Sequence, residues 1–277
     1  DDAFAARLGA RCAVAGNGGR MAVQGLLYSG TAEQLERLGA LRPLRDDLGL
    51  ALSVPDEDLP PRDRARAAYA LARTARSLSD PVGSRAALVQ AARALDEAEP
   101  DRDLEAAIHR DLGRELVLGG NPENGLKHLE RARRITGGTA RGLDVELLLG
   151  AAHLRLGRLP AAAEAFERGR ATAVQEGVER GELACLEGLA AVDFKRGRLR
   201  EAEASLTTLL ERGPKGGDPA AHRTANLCRV RLARGDVPGA RAALEAGWQG
   251  AFEAGSQAGA QAEVQAPSEA GEQAEVG

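Results

Sequence analysis

The stretch of this 277-residue chain that most resembles a reactive site is Gly16-Asn17-Gly18-Gly19. Glycine-rich loops hold phosphate because free backbone N–H groups converge on the anion, while a lysine and a hydroxyl complete the site. Here Arg20-Met21 follow the last glycine, where a Walker loop needs Lys-Ser or Lys-Thr. Met21 also occupies the place where a dinucleotide fingerprint needs Gly or Ala. The cluster reads as a turn between two helices.

Other chemistry-bearing residues are sparse. The only imidazoles are His109, His128, His153 and His222, and none has a ligand three or four residues away in a helical metal pattern beyond ordinary Glu and Asp. His128, preceded by Lys127 and followed by Glu130, reads as part of a solvated helix face. Cys12, Cys185 and Cys228 are odd in number, widely spaced and without a CxxC pair, which fits a reducing compartment better than a disulfide framework. No Gly-x-Ser-x-Gly elbow occurs, and Ser84 and Ser205 have no histidine nearby in sequence. These residues make no catalytic constellation, and neither a cofactor nor a metal is expected.

Composition narrows the setting. Apolar residues make up 43% of the chain but aromatics only 3%, so burial must come from Ala, Leu and Val, which favours close-packed helices over strands. The formal charge of −4 argues against a nucleic-acid binder driven by bulk electrostatics. Of 37 basic residues only Lys127, Lys195 and Lys215 are lysines. No run of about 18 apolar residues exists, so no membrane span is expected. The chain opens on Asp1-Asp2 with no leader pattern, which fits a trimmed terminus or a piece of a larger protein, and a cytoplasmic setting is the expectation.

A repeating score organises the rest. A Leu-small pair is followed seven or eight places on by a turn residue, then by a small, a large apolar and another small residue. Leu112-Gly113, Gly120, Gly125, Leu129, Ala132 is one copy, and Leu149-Gly150, Gly157, Ala162, Phe166, Gly169 is another. Fainter copies carry turns at Ser79, Gly197 and Gly235, so the turns stand 41, 37, 40 and 38 residues apart. Periods of this size mean stacked helix pairs, each burying its apolar face on the next. Asp80-Pro81, Asn121-Pro122 and Asp236-Val237-Pro238 supply helix starts, with an acceptor for free amides and a proline where no N–H is needed.

Three regions follow. Residues 1–60 read as a helical segment, a degenerate repeat around Gly16, a helix from Thr31 to about Leu41, and a hinge at Val54–Pro61. Residues 61–250 read as about five helix pairs. Residues 251–277 are nearly all Ala, Gly, Glu, Gln and Ser, and are expected to be disordered. Trp248 is expected to cover the last repeat's apolar face, as array ends need caps.

These positions resemble the tetratricopeptide repeat (TPR). The Leu-Gly pairs at 112–113 and 149–150 match its first-helix signature, the glycines at 120, 157, 197 and 235 its turn, and Ala162, Ala202, Ala240 and Phe166 its second helix. The resemblance implies an all-α, right-handed α-solenoid of antiparallel helix pairs. The units exceed the usual 34 residues, and the family's early Trp and first-helix Tyr are absent. Long, Ala-rich units of this kind are similar to the sensor arms of bacterial signalling ATPases and large transcriptional regulators.

In that family the first helices line a concave face. Carried over residue by residue, the face includes Arg66, Tyr69, Arg73, Arg76, Arg110, Arg114, Arg155, Phe194, Lys195 and Arg229. Of the thirty positions so assigned, eight are basic and three acidic, with five of the eight basic ones in the first two repeats. The resemblance therefore implies a non-catalytic scaffold that holds a protein or peptide segment, and the charge gradient an acidic part of it at the groove's amino-terminal end, with no direct nucleic-acid or membrane partner. The alternative is a module sensing a small metabolite in the groove of a signalling protein. An enzyme would need a site split across regions that sequence does not pair.

Overall fold

Helix formation follows from what each turn does to the backbone. In the computed structural model, which describes residues 37, 39–53, 59–214 and 217–249, the turn residues at 120, 157, 197 and 235 are glycines with φ of 84°, 70°, 75° and 79°. A side chain is strained in this left-handed region and glycine is not. Ser79 takes the same role at φ 58°, the one non-glycine residue there among those described. The residue after each turn then donates its N–H to a carbonyl five residues back, at 2.9 Å in all five copies: Asp80 to Ala75, Asn121 to Leu116, Arg158 to His153, Arg198 to Asp193, Asp236 to Arg231. This bond closes the helix end and sends the chain back antiparallel.

Capping side chains start the returning helices. Asp80 accepts from the Gly83 N–H at 2.8 Å, Asn121 from Asn124 at 3.3 Å and Asp236 from Gly239 at 2.9 Å. Each such cap is worth about 1 kcal/mol. The helices are α1 (Leu41–Leu52), α2 (Pro61–Ser77), α3 (Pro81–Asp96), α4 (Arg102–Leu118), α5 (Pro122–Thr136), α6 (Leu143–Arg155), α7 (Leu159–Gln175), α8 (Glu179–Lys195), α9 (Leu199–Arg212), α10 (Gly217–Ala233) and α11 (237–249). A 3-10 turn at Ala140–Gly142 precedes α6, and the described residues contain no strand.

The chain forms two compact units, one through Ala161 and the other from Ala162 on. In the first, α2 pairs with α3 and α4 with α5, each second helix packing on the first helix of the next pair. Small residues let α4 and α5 touch backbone to backbone. A Cβ on Gly125 would stand 2.9 Å from the Gly113 carbonyl, and one on Gly113 only 2.6 Å from Leu129. In the second unit α8 pairs with α9, which packs on α10. Leu183, Leu206, Leu209, Leu227 and Val230 form that unit's core.

Helix α1 is an element the sequence reading did not contain, and the helix expected from Thr31 to about Leu41 lies mostly outside the described residues. The α1 stripe of Leu44, Leu48, Ala51 and Leu52 is buried against α2 at helical spacing, with Pro43 harmless in its first turn. The helix thus occupies 41–52, beyond the end of the 31–41 stretch expected from Thr31. Residues 1–36, the hinge at 54–58 and the segment 251–277 lie outside the described residues, and with them the Gly16–Gly19 turn and the tail. Trp248 does not act as the expected cover: it is 78% exposed, because α11 turns Ala240 inward and Trp248 outward.

Candidate partner-binding face

Five basic groups of the amino-terminal repeats gather around carboxylates of their own chain. Asp111, on α4, is fully buried. Its Oδ2 accepts from the Tyr69 hydroxyl at 3.2 Å and from Arg76 Nη1 at 3.0 Å, both on α2. Its Oδ1 accepts from Arg110 Nε at 2.8 Å, and Arg114 Nη2 lies 3.5 Å from it. Successive first helices thus run side by side, and a carboxylate from one ties in the cations of both.

The electrostatics follow from that crowding. Burial, then the Asp111 charge, pushes the Tyr69 phenol above its usual pKa. Burial alone would lower that of Arg110, but its hydrogen bond and ion pair with Asp111 outweigh it and raise it. One turn on, burial holds the Glu115 carboxyl above its ordinary value against the opposing pull of Arg76. The side chains of Arg76, Arg110 and Arg114 keep 36%, 28% and 28% of their surface exposed, so they remain partly available to solvent.

The remaining carried-over residues have different surroundings. Arg66 pairs with Asp101 at 3.0 Å, together with Arg62. Arg73 lies close enough to Tyr69 to oppose the rise in its pKa. Arg155, on α6, donates to the Val117 carbonyl at the end of α4. In the second unit Phe194 packs against the α8–α10 core, while Lys195 and Arg229 are exposed. The structure therefore brings Tyr69, Arg76, Arg110 and Arg114 onto one carboxylate, and places Arg66, Arg155 and Phe194 in contacts of their own.

Sequence reasoning missed one pair. His109 of α4 and His128 of α5 stack with ring centroids 5.1 Å apart and Nδ1 atoms 2.9 Å apart. At that distance one Nδ1 carries the proton and the other accepts it. Burial, then the charges of Arg131 and His128, lowers the His109 pKa to about 4, and burial, then Arg131 and Lys127, lowers that of His128. The signal was the hairpin itself: folding the chain about Gly120 brings residues near 109 opposite those near 130. Among the described residues no group of three or more His, Cys, Asp or Glu could hold a metal ion. Cys185 is buried, and the Cys228 thiol donates to the Ala240 carbonyl at 3.3 Å. No helix among the described residues is long and apolar enough to cross a membrane.

Taken together, the paired helices, the left-handed turns and the small contact residues define an α-solenoid of the TPR-like class. Solved structures agree. The nearly identical TPR-like repeats of a Podosopora anserina kinesin light chain superpose with a TM-score of 0.57 at 19% identity, over 74% of this chain and 98% of that one. BtubC (BKLC) from P. vanneervenii gives 0.57 at 16% identity, over 92% and 97%. The APC/C hetero-tetramer Cut9-Hcn1 gives 0.56 at 17%, over 84% of this chain and 39% of that one. No protein-family model matches the chain, and no curated protein matches it.

Proposed function

We propose that the array is a non-catalytic interaction scaffold that holds a protein or peptide segment along its first helices, with an acidic part of that segment at the α2–α4 end. Helical-repeat arrays bind through the extended surfaces their stacking creates. One observation carries the reading: three guanidiniums share the single carboxylate of Asp111 while each stays partly exposed. A guanidinium offers five donors in a fixed fork, so this cluster retains donors that Asp111 does not use. Asp111 holds them in place beforehand, which lowers the ordering cost of binding a second carboxylate. The scaffold as an arm of a larger bacterial cytoplasmic regulator belongs to the same proposal.

The metabolite-sensing alternative needs aromatics offered to a ligand. The Tyr69 hydroxyl is already engaged by Asp111 and Phe194 is half-buried against the α8–α10 core, which favours the scaffold. The test is fluorescence anisotropy of a labelled Glu-rich peptide at low salt. Binding should weaken at least about tenfold in the double variant Arg73→Glu, Arg110→Glu, fade with added salt, and be absent for a Lys-rich peptide. Equal affinity of wild type and variant would remove the idea, as would no binding at all.

A further inference from the structure

The charges around Asp111 do not balance. Within electrostatic reach of Asp111 and its neighbours lie Arg73 and Arg76 of α2, Arg85 of α3, and Arg110 and Arg114 of α4. Facing these five guanidiniums are three carboxylates, Asp111 and Glu115 of α4 and Asp144 of α6, while Tyr69 is a neutral phenol. Two positive charges are left over. Donors are in surplus as well, since a guanidinium has five N–H groups and a carboxylate about four acceptor sites. The Asp111 oxygens already accept from Tyr69, Arg76 and Arg110. Arg114 Nη2 comes no nearer than 3.5 Å, and it has no hydrogen-bond partner among the described residues. The surplus is local: six residues before the turn, Arg73 and Arg114 share one register of successive first helices, where α6 carries Ala151.

Building on the scaffold reading above, we propose that this junction binds a phosphorylated serine or threonine of the partner segment, a dianion that takes up both surplus charges. A glutamate side chain brings one charge and two oxygens, so one positive charge would stay uncompensated. A phosphomonoester brings close to two charges at neutral pH and three strong acceptor oxygens. Those oxygens match the partly exposed forks of Arg76, Arg110 and Arg114, because planar guanidinium geometry suits phosphate in bidentate contact. The two acids of α4 do not stand in the way: Asp111 and Glu115 are both buried, whereas the arginines above them reach solvent. Beside the cluster, α6 packs on α4 and carries the half-buried Leu147, Leu148 and Ala151. An apolar neighbour of this kind suits the residues that flank a phosphate on a peptide, which favours a phosphopeptide over the free anion.

Fluorescence anisotropy with the full chain tests this, using one labelled Glu-rich peptide whose central residue is phosphoserine, glutamate or serine. At pH about 7.5 the phosphoserine form should bind at least about tenfold tighter than the glutamate form. That ratio should shrink at pH about 5.5, where a phosphate of pKa about 6 loses its second charge and glutamate keeps its own. Protonation of Glu115 acts on both peptides alike and drops out of the ratio. Arg114→Gln, with helical content unchanged, should cut the preference to below about threefold. If that variant misfolds, the wild-type ratio and its pH dependence decide alone. Equal affinity for the phosphoserine and glutamate forms would overturn the phosphate site and leave the scaffold standing, whereas no binding of any form would overturn both. Inorganic phosphate that displaces the phosphopeptide at a concentration near the peptide's own dissociation constant would show a site for the free anion, and would overturn the peptide assignment.

Discussion

Arg76 and Asp111 are 35 residues apart in sequence and 3.0 Å apart in space, joining the first helices of two successive repeats. Because Asp111 is fully buried, its charge is tolerable only with these donors in place. Asp111→Ala should cost about 2–4 kcal/mol in chemical denaturation, less than a wholly enclosed pair because the arginines can turn to water. Tyr69→Phe, which removes one donor, should cost about 1 kcal/mol. An Asp111→Ala variant as stable as the wild type would show that the cluster contributes nothing to the fold.

The His109–His128 pair makes a pH prediction. The pKa of His109 is about 4 in the fold, against about 6.5 in an unfolded chain. Between those values the unfolded chain binds a proton that folded His109 refuses, so this contribution is complete above pH about 6.5 and is lost as pH falls toward 4. The full shift corresponds to about 3 kcal/mol. Glu105 and Asp96 oppose it, Arg131 reinforces it, and Lys127 acts in the same direction on His128. Urea unfolding across this range should show a steeper pH slope for the wild type than for His109→Phe.

Ser79 stands alone among the array's turns. A side chain in the left-handed region costs about 1–2 kcal/mol, whereas glycine's extra chain entropy costs about 0.5–1 kcal/mol. Ser79→Gly should therefore stabilise the protein by up to about 1 kcal/mol, raising Tm by roughly 2–4 °C. Gly120→Ser should do the reverse. Calorimetry of the two variants reads both signs.

Gly188 faces the Phe166 ring. An added methyl overlaps three ring carbons, so Gly188→Ala should lose about 1–3 kcal/mol from strain. In a Phe166→Leu background the same change should cost less than half as much, because the ring that meets the methyl is gone. A double-mutant cycle measures that coupling.

The turns were legible from sequence because a left-handed residue demands glycine, and glycine recurs at 120, 157, 197 and 235. The caps at Asp80, Asn121 and Asp236 were legible for a similar reason, since a short acceptor before a proline has few other uses. Helix α1 was written in Leu44, Leu48 and Leu52, yet the stripe needs α2 beside it to count as an inside face. The arginines were read as a surface awaiting an acid, but three of them already hold one.

Local chemistry by itself therefore determined the period, the turns and the helix pairs, because backbone conformation and capping depend on residues within a few positions of one another. Tertiary structure alone decided that Asp111 lies beneath its arginines, that His109 meets His128 and that Leu244 stays open while Leu206 is covered. The physical reason is burial. Whether a charge is paired or an apolar side chain is sheltered depends on the neighbour stacked against it, which a single repeat does not contain.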